Sequence, residues 1–157
     1  MDGSSSIADS RVRDLLTAIS SAQVAPGAGA AGAVALGLAA ACFGKALTIS
    51  LKHRADDREL QPASDTCSQI AHLALMDADR DAAEFARFIH SHSPQDAARL
   101  ADTGRALVAL ADTLETLVNR LDENIAANMT GDVVATRALI AAARTIHAHN
   151  ESDVERE

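Results

Sequence analysis

At 157 residues with 48% hydrophobic side chains, the chain can bury the core of one domain, which excludes an intrinsically disordered segment. Aromatic residues make up only 2%, with no Trp or Tyr, and β-branched runs are scarce, so the expected fold class is all-α. A formal net charge of −8 and a pI near 5.1 give no electrostatic basis for holding nucleic acid or anionic lipid, and no basic stripe offsets them.

Five helical segments are predicted in chain order, with residues 1–6 as a flexible N-terminus, 7–150 as a single domain and 151–157 as a charged tail. The first segment runs from about Ile7 to Ala22 and sets Val12, Leu15, Leu16 and Ile19 on one side at helical spacing, so it should cover part of the core. The second is the most distinctive: VAPGAGAAGAVALGLAAACFG, Val24 to Gly44, is almost uninterrupted alanine and glycine. Pro26 suits a helix start, while Gly27 and Gly29 permit positive φ and leave amides uncovered. Small residues recur three or four apart at Gly29, Gly32, Ala33, Gly37 and Ala41, giving one nearly flat face. Glycine inside a helix costs roughly 0.5–1 kcal/mol relative to alanine. A close approach by another helix or a ligand compensates that cost; an alanine-rich filler helix is the plainer alternative.

No charge occurs between Asp14 and Lys45, yet alanine and glycine contribute little to membrane insertion, so a span is not expected. The N-terminus MDGSSSIADS carries acids and serines where a signal peptide would carry positive charge, and a cytoplasmic location is the default. Beyond Leu51 the helix should end in the basic cluster Lys52, His53 and Arg54, where cations complement the helix dipole.

The third segment should begin after Pro62, capped by Ser64 or Asp65, and continue to about His90, before Pro94 breaks the chain. Along it Ile70, Ala74, Asp77, Asp81, Phe85 and Phe88 follow one stripe. Two carboxylates therefore occupy positions where apolar residues are expected, and Asp81 is a candidate acid, base or ligand anchor. A solvated middle of that stripe is the competing explanation, because DADRD is strongly charged. In the fourth segment, about Asp96 to Asn124, Leu107, Leu110, Leu114, Leu117 and Leu121 alternate spacings of three and four, a seam for pairing helices. The fifth runs from about Thr130 to Asn150, with Asp132 and Asn150 on one face at opposite ends.

Metal sites and nucleophile motifs are not signalled. Cys42 and Cys67 are isolated thiols, expected to be reduced packing residues, and the HxH pairs His90/His92 and His147/His149 point about 200° apart on a helix, where only His90 and His92, at a helix end, could adopt an extended geometry. No serine or cysteine stands in an elbow motif.

LLTAISSAQVAPGAGAAGAVALGLAAA, then DRDAAEF and then GDVVATRALIAAARTIHAHN resemble, in this order, the cyclodeaminase/cyclohydrolase family. That family comprises methenyltetrahydrofolate cyclohydrolases and the C-terminal domain of formiminotransferase-cyclodeaminase. The resemblance covers about residues 11 to 150 and implies a helical bundle that forms a homodimer, with a folate pocket near the Pro-Gly turn. It carries over Pro26, Gly27 and Gly29 as the turn, Asp81 as the acid of the third helix, Asp132 and Asn150. Lys52, His53 and Arg54 would face the folate's acidic tail or move protons, so the expected catalytic pair is Asp81 and His53. A tetrahydrofolate derivative would be the substrate, with no tightly bound cofactor and no metal.

The implied chemistry is hydrolysis of a methenyl folate or loss of ammonia from a formimino folate, and the lack of a transferase domain favours the cyclohydrolase. Departures from the family pattern include Ala28 and Ala30 in the turn, Lys52 to Asp56 where the family has glycine, lysines and a tyrosine, Gly104 for a proline, and Gly131 for a serine. A non-catalytic helical dimer binding another small molecule or a protein is the alternative reading.

Overall fold

The computed structural model describes residues 6–154. Residues 1–5 of the expected flexible N-terminus and 155–157 of the charged tail lie outside the described residues. Five α-helices are present, α1 (Val12–Ile19), α2 (Ala28–Leu51), α3 (Leu60–Ser91), α4 (Pro94–Leu121) and α5 (Thr130–Val154), with no strand among the described residues.

The four long helices form an up-down-up-down bundle. Gly29, Gly37 and Gly44 of α2 lie against Asp81, Ala74 and Cys67 of α3, so the two helices run antiparallel. Gly32 meets His147, Ala39 accepts from Thr136, and Lys45 pairs with Asp132, so α5 is antiparallel to α2 on its other flank. Arg144 on α5 pairs with Asp112 and Glu115, and Arg137 with Asn119, closing the bundle against α4. Phe43, Leu36 and Leu47 from α2 meet Leu107, Leu114 and Leu121 of the α4 seam in one core, with Ile140 from α5; Leu110 packs at its edge.

The missing aromatic bulk explains this arrangement. Small side chains on α2 let groups of α3 and α5 approach its backbone closely: a Cβ on Gly32 would lie 2.9 Å from His147 Nε2 of α5, and one on Gly29 would overlap the Asp81 carboxylate of α3. By length and composition α2 would also pass as a membrane span, at a mean hydropathy of 1.8, but here it is the central helix of the bundle.

Several boundaries differ from expectation. The first segment splits into a 3-10 turn, Ile7–Asp9, and the short α1, because Asp79 of α3 accepts from Ser6 Oγ and the Ile7 N–H at 2.6 Å each and pins the chain there. No residue of α1 is buried: Val12 and Leu16 are 74% and 61% exposed, so α1 does not cover the core as its stripe suggested. Pro26 lies outside α2, whose N-cap is Gly27, and no glycine among the described residues takes positive φ. Helix α3 begins at Leu60, ahead of Pro62, and neither Ser64 nor Asp65 caps it. Pro62 is tolerated because the first N–H groups of a helix have no intrahelical partner to lose. Ser93 caps α4 by accepting from the Asp96 N–H, with Pro94 in the first turn and the left-handed His92 closing α3. Helix α5 runs past Asn150 to Val154.

Candidate functional site

The site grows from a shortage of side chains at the start of α2. Helix N-termini leave amides without acceptors, and Gly27 brings no capping side chain. The acceptor comes from another helix: Asp81 of α3 takes a hydrogen bond from the Ala30 N–H. Gly29 permits this, since a Cβ there would fall inside the van der Waals shell of the Asp81 carboxylate. The value of Gly29 is therefore space rather than φ freedom.

Asp81 is only 8% exposed, and burial pushes its pKa up to about 6, with the Ala30 N–H pulling the other way. A carboxylate tuned near neutrality can take and return a proton at physiological pH. One turn earlier, Asp77 is 7% exposed and is also pushed up by burial, while Arg80, 3.5 Å away on the same helix, opposes that. The Asp77/Asp81 stripe thus faces the bundle interior and not solvent.

His147 of α5 was not among the expected site residues. It is 5% exposed, its Nε2 has no hydrogen-bond partner, and burial lowers its pKa, leaving the ring neutral at pH 7. A Cβ on Gly32 would lie 2.9 Å from that Nε2, so a second glycine of α2 makes room for a second polar head. The signal was present in the sequence: Val133, Thr136, Ile140, Ala143 and His147 follow spacings of three and four, all buried, and a histidine in a buried stripe has the same standing as Asp81.

Of the expected residues, Pro26, Gly27, Gly29 and Asp81 gather at this end of the bundle, and half-buried Asn150 stands one turn beyond His147. Lys52, His53 and Arg54 do not join them within one chain. They are exposed and follow the far end of α2, which at 24 residues is about 36 Å long. Asp132 lies toward that far end as well, in an ion pair with Lys45 at 3.6 Å. No group of three or more His, Cys, Asp or Glu suited to a metal occurs among the described residues. Burial pushes the Cys67 thiol up to about 12, which leaves it an inert packing group. A shallow surface cavity of about 440 Å³ lies between α3 and α4, lined by Thr66, Asp112, Thr113, Thr116, Leu117 and Arg120; it contains none of these site residues.

Comparison with curated proteins and with solved structures gives no match. Residues 11–150 match the protein-family model described as Formiminotransferase-cyclodeaminase. That range reaches from α1 into α5 and takes in the glycine turn, Asp81 and Asn150. An all-helical bundle whose central glycine helix is capped by a buried aspartate from its neighbour fits that assignment, and the chain belongs to the formiminotransferase-cyclodeaminase family.

Proposed function

We propose that the protein is a folate-dependent enzyme of one-carbon metabolism that hydrolyses a cationic methenyltetrahydrofolate. Asp81 carries the reading: a buried carboxylate at the uncovered N-terminus of α2, with its pKa raised to about 6 by burial. Addition of water to the cationic methenyl carbon forms a C–O bond. One water proton must reach the nitrogen that leaves carbon, and the other must leave the site. A carboxylate that is ionised above about pH 6 opposes the substrate's positive charge and accepts the released proton.

The reading includes a homodimer. The outward stripe of α2, Ala31, Ala35, Leu38 and Cys42, is uncharged, and Leu38 is 54% exposed near mid-helix. A two-fold axis there crosses two α2 helices antiparallel and sets the partner's basic cluster, the counterpart of Lys52, His53 and Arg54, beside this chain's Asp81 end. The expected catalytic partner His53 and the folate-tail cations Lys52 and Arg54 then come from the other subunit, which accounts for their distance from Asp81 within one chain.

The test is turnover of methenyltetrahydrofolate, followed by loss of its absorbance against the spontaneous rate without added metal. Acceleration is expected, falling at least about 100-fold in Asp81→Asn. Full activity in that variant removes Asp81 from the chemistry. Light scattering should give a dimer for the native protein and a monomer for Leu38→Glu; a dimer in both removes this face from the interface.

A further inference from the structure

The same site holds a polar group that the reading above leaves unused. Buried polar side chains elsewhere in the bundle have partners. Ser50 donates to the Ala46 carbonyl and accepts from the Ala126 N–H; Thr136 donates to Asp132 and Ala39 carbonyls; Asp96 accepts from Ser91 and Ser93. His147 Nε2 has none. A well-packed native interior rarely retains an orphaned buried polar atom without a use.

Its position indicates the use. His147 Nε2 and the Asp81 carboxylate each lie within about 3 Å of where a Cβ would stand on Gly32 and Gly29 respectively. Cβ positions three apart on a helix are about 5–6 Å from each other, so the two polar heads are at most about 12 Å apart on the first turns of α2. Both polar heads therefore lie against the first turns of α2. The Ala28 and Gly29 amides have no acceptor within α2, so the surroundings are polar on the helix side as well.

We infer that His147, rather than the partner's His53, is the second catalytic residue of this site, the group that carries a water proton to the departing nitrogen while Asp81 removes the other, which leaves His53 with Lys52 and Arg54 at the folate's acidic tail. The inference rests on the hydrolytic reading above. With the ring proton on Nδ1, neutral Nε2 presents a lone pair. As the water oxygen bonds to the methenyl carbon, its O–H bond breaks and the proton passes to Nε2. The resulting imidazolium, with the Asp81 carboxylate nearby, returns that proton to the ring nitrogen as the C–N bond breaks. The remaining hydroxyl proton passes to Asp81 and on to solvent, so a cation and water give a neutral formyl product and one released proton. Gly32 keeps the imidazole in place here, because a side chain at that position displaces it.

His147→Leu and His147→Gln test the inference with methenyltetrahydrofolate as the probe. Thermal melting checks folding, and the Nε2 resonance of 15N-labelled histidine in the native protein reports contact. Leu removes the orphan atom and keeps the volume, so its melting temperature should hold or rise while kcat/KM falls at least about 100-fold. Gln keeps a hydrogen-bonding group without carrying a proton through it, so KM should stay within about threefold while kcat falls at least about tenfold. The Nε2 resonance should move when the probe binds. Native turnover with an unmoved resonance and an active, folded Leu variant overturns the role of His147 and leaves the hydrolytic reading standing. Absence of native turnover and binding overturns both.

Discussion

The two ends of α2 treat buried polarity in opposite ways. At the C-terminal end each buried or half-buried polar group has a partner. Ser50, fully buried, bridges the Ala46 carbonyl and the Ala126 N–H. Asp57 accepts from Asn124 at 2.7 Å and from the Glu59 N–H, and these bonds hold its carboxyl below the usual range. At the N-terminal end Asp77 and Asp81 are pushed upward by burial, and His147 has an empty Nε2. Satisfied polar groups fix the connection between helices, whereas polar groups buried at a cost mark where a ligand supplies the missing interaction. Within one chain the helix thus carries a structural joint at its C-terminal end and, on the proposed reading, the Asp81 site at the other.

The comparison is broken most severely at Gly29. Gly29→Val forces a side chain into the Asp81 carboxylate, and chemical denaturation should show a loss of about 1–3 kcal/mol or more together with loss of turnover. The double variant with Asp81→Ala should recover much of the stability and none of the activity. Additive losses would mean that the two residues do not meet.

Next in size is the pH dependence. Asp81 titrates near 3.8 when unfolded and near 6 when folded, so the native state binds the extra proton between those values. Its contribution to stability is fully present below 3.8, declines as pH rises to about 6 and is absent above. Two pKa units correspond to a difference on the order of 3 kcal/mol. The stability of Asp81→Asn minus that of the native protein should therefore grow from pH 4 to pH 6.5 and then level off, as read by urea melts. A flat difference would place the carboxylate in solvent. His147 acts with the opposite sign: its lowered pKa means stability falls as pH drops below 6.5.

The smallest expected effect belongs to the joint. Ser50→Ala leaves the Ala126 N–H without its acceptor and should cost about 1–2 kcal/mol in a denaturant melt, with kcat and KM unchanged. A change in turnover there would erase the contrast between the ends.

The sequence alone determined the elements that depend on local periodicity and composition. The leucine seam from Leu107 to Leu121, the glycine-alanine helix and the carboxylates intruding on the α3 stripe were all legible, because spacing on a helix fixes which side chains share a face. Helix ends were less so: Pro62 falls inside α3, because the initial N–H groups of any helix are free and proline there loses nothing. Only the tertiary structure decided what Gly29 and Gly32 are for, because the groups they accommodate, Asp81 and His147, come from 52 and 115 residues further along the chain. It also separated Lys52, His53 and Arg54 from Asp81 by the length of α2, a distance invisible in a list of residues because a helix rises about 1.5 Å at each step in one direction. Periodicity reports which face a residue takes; what lies opposite that face is set by long-range packing.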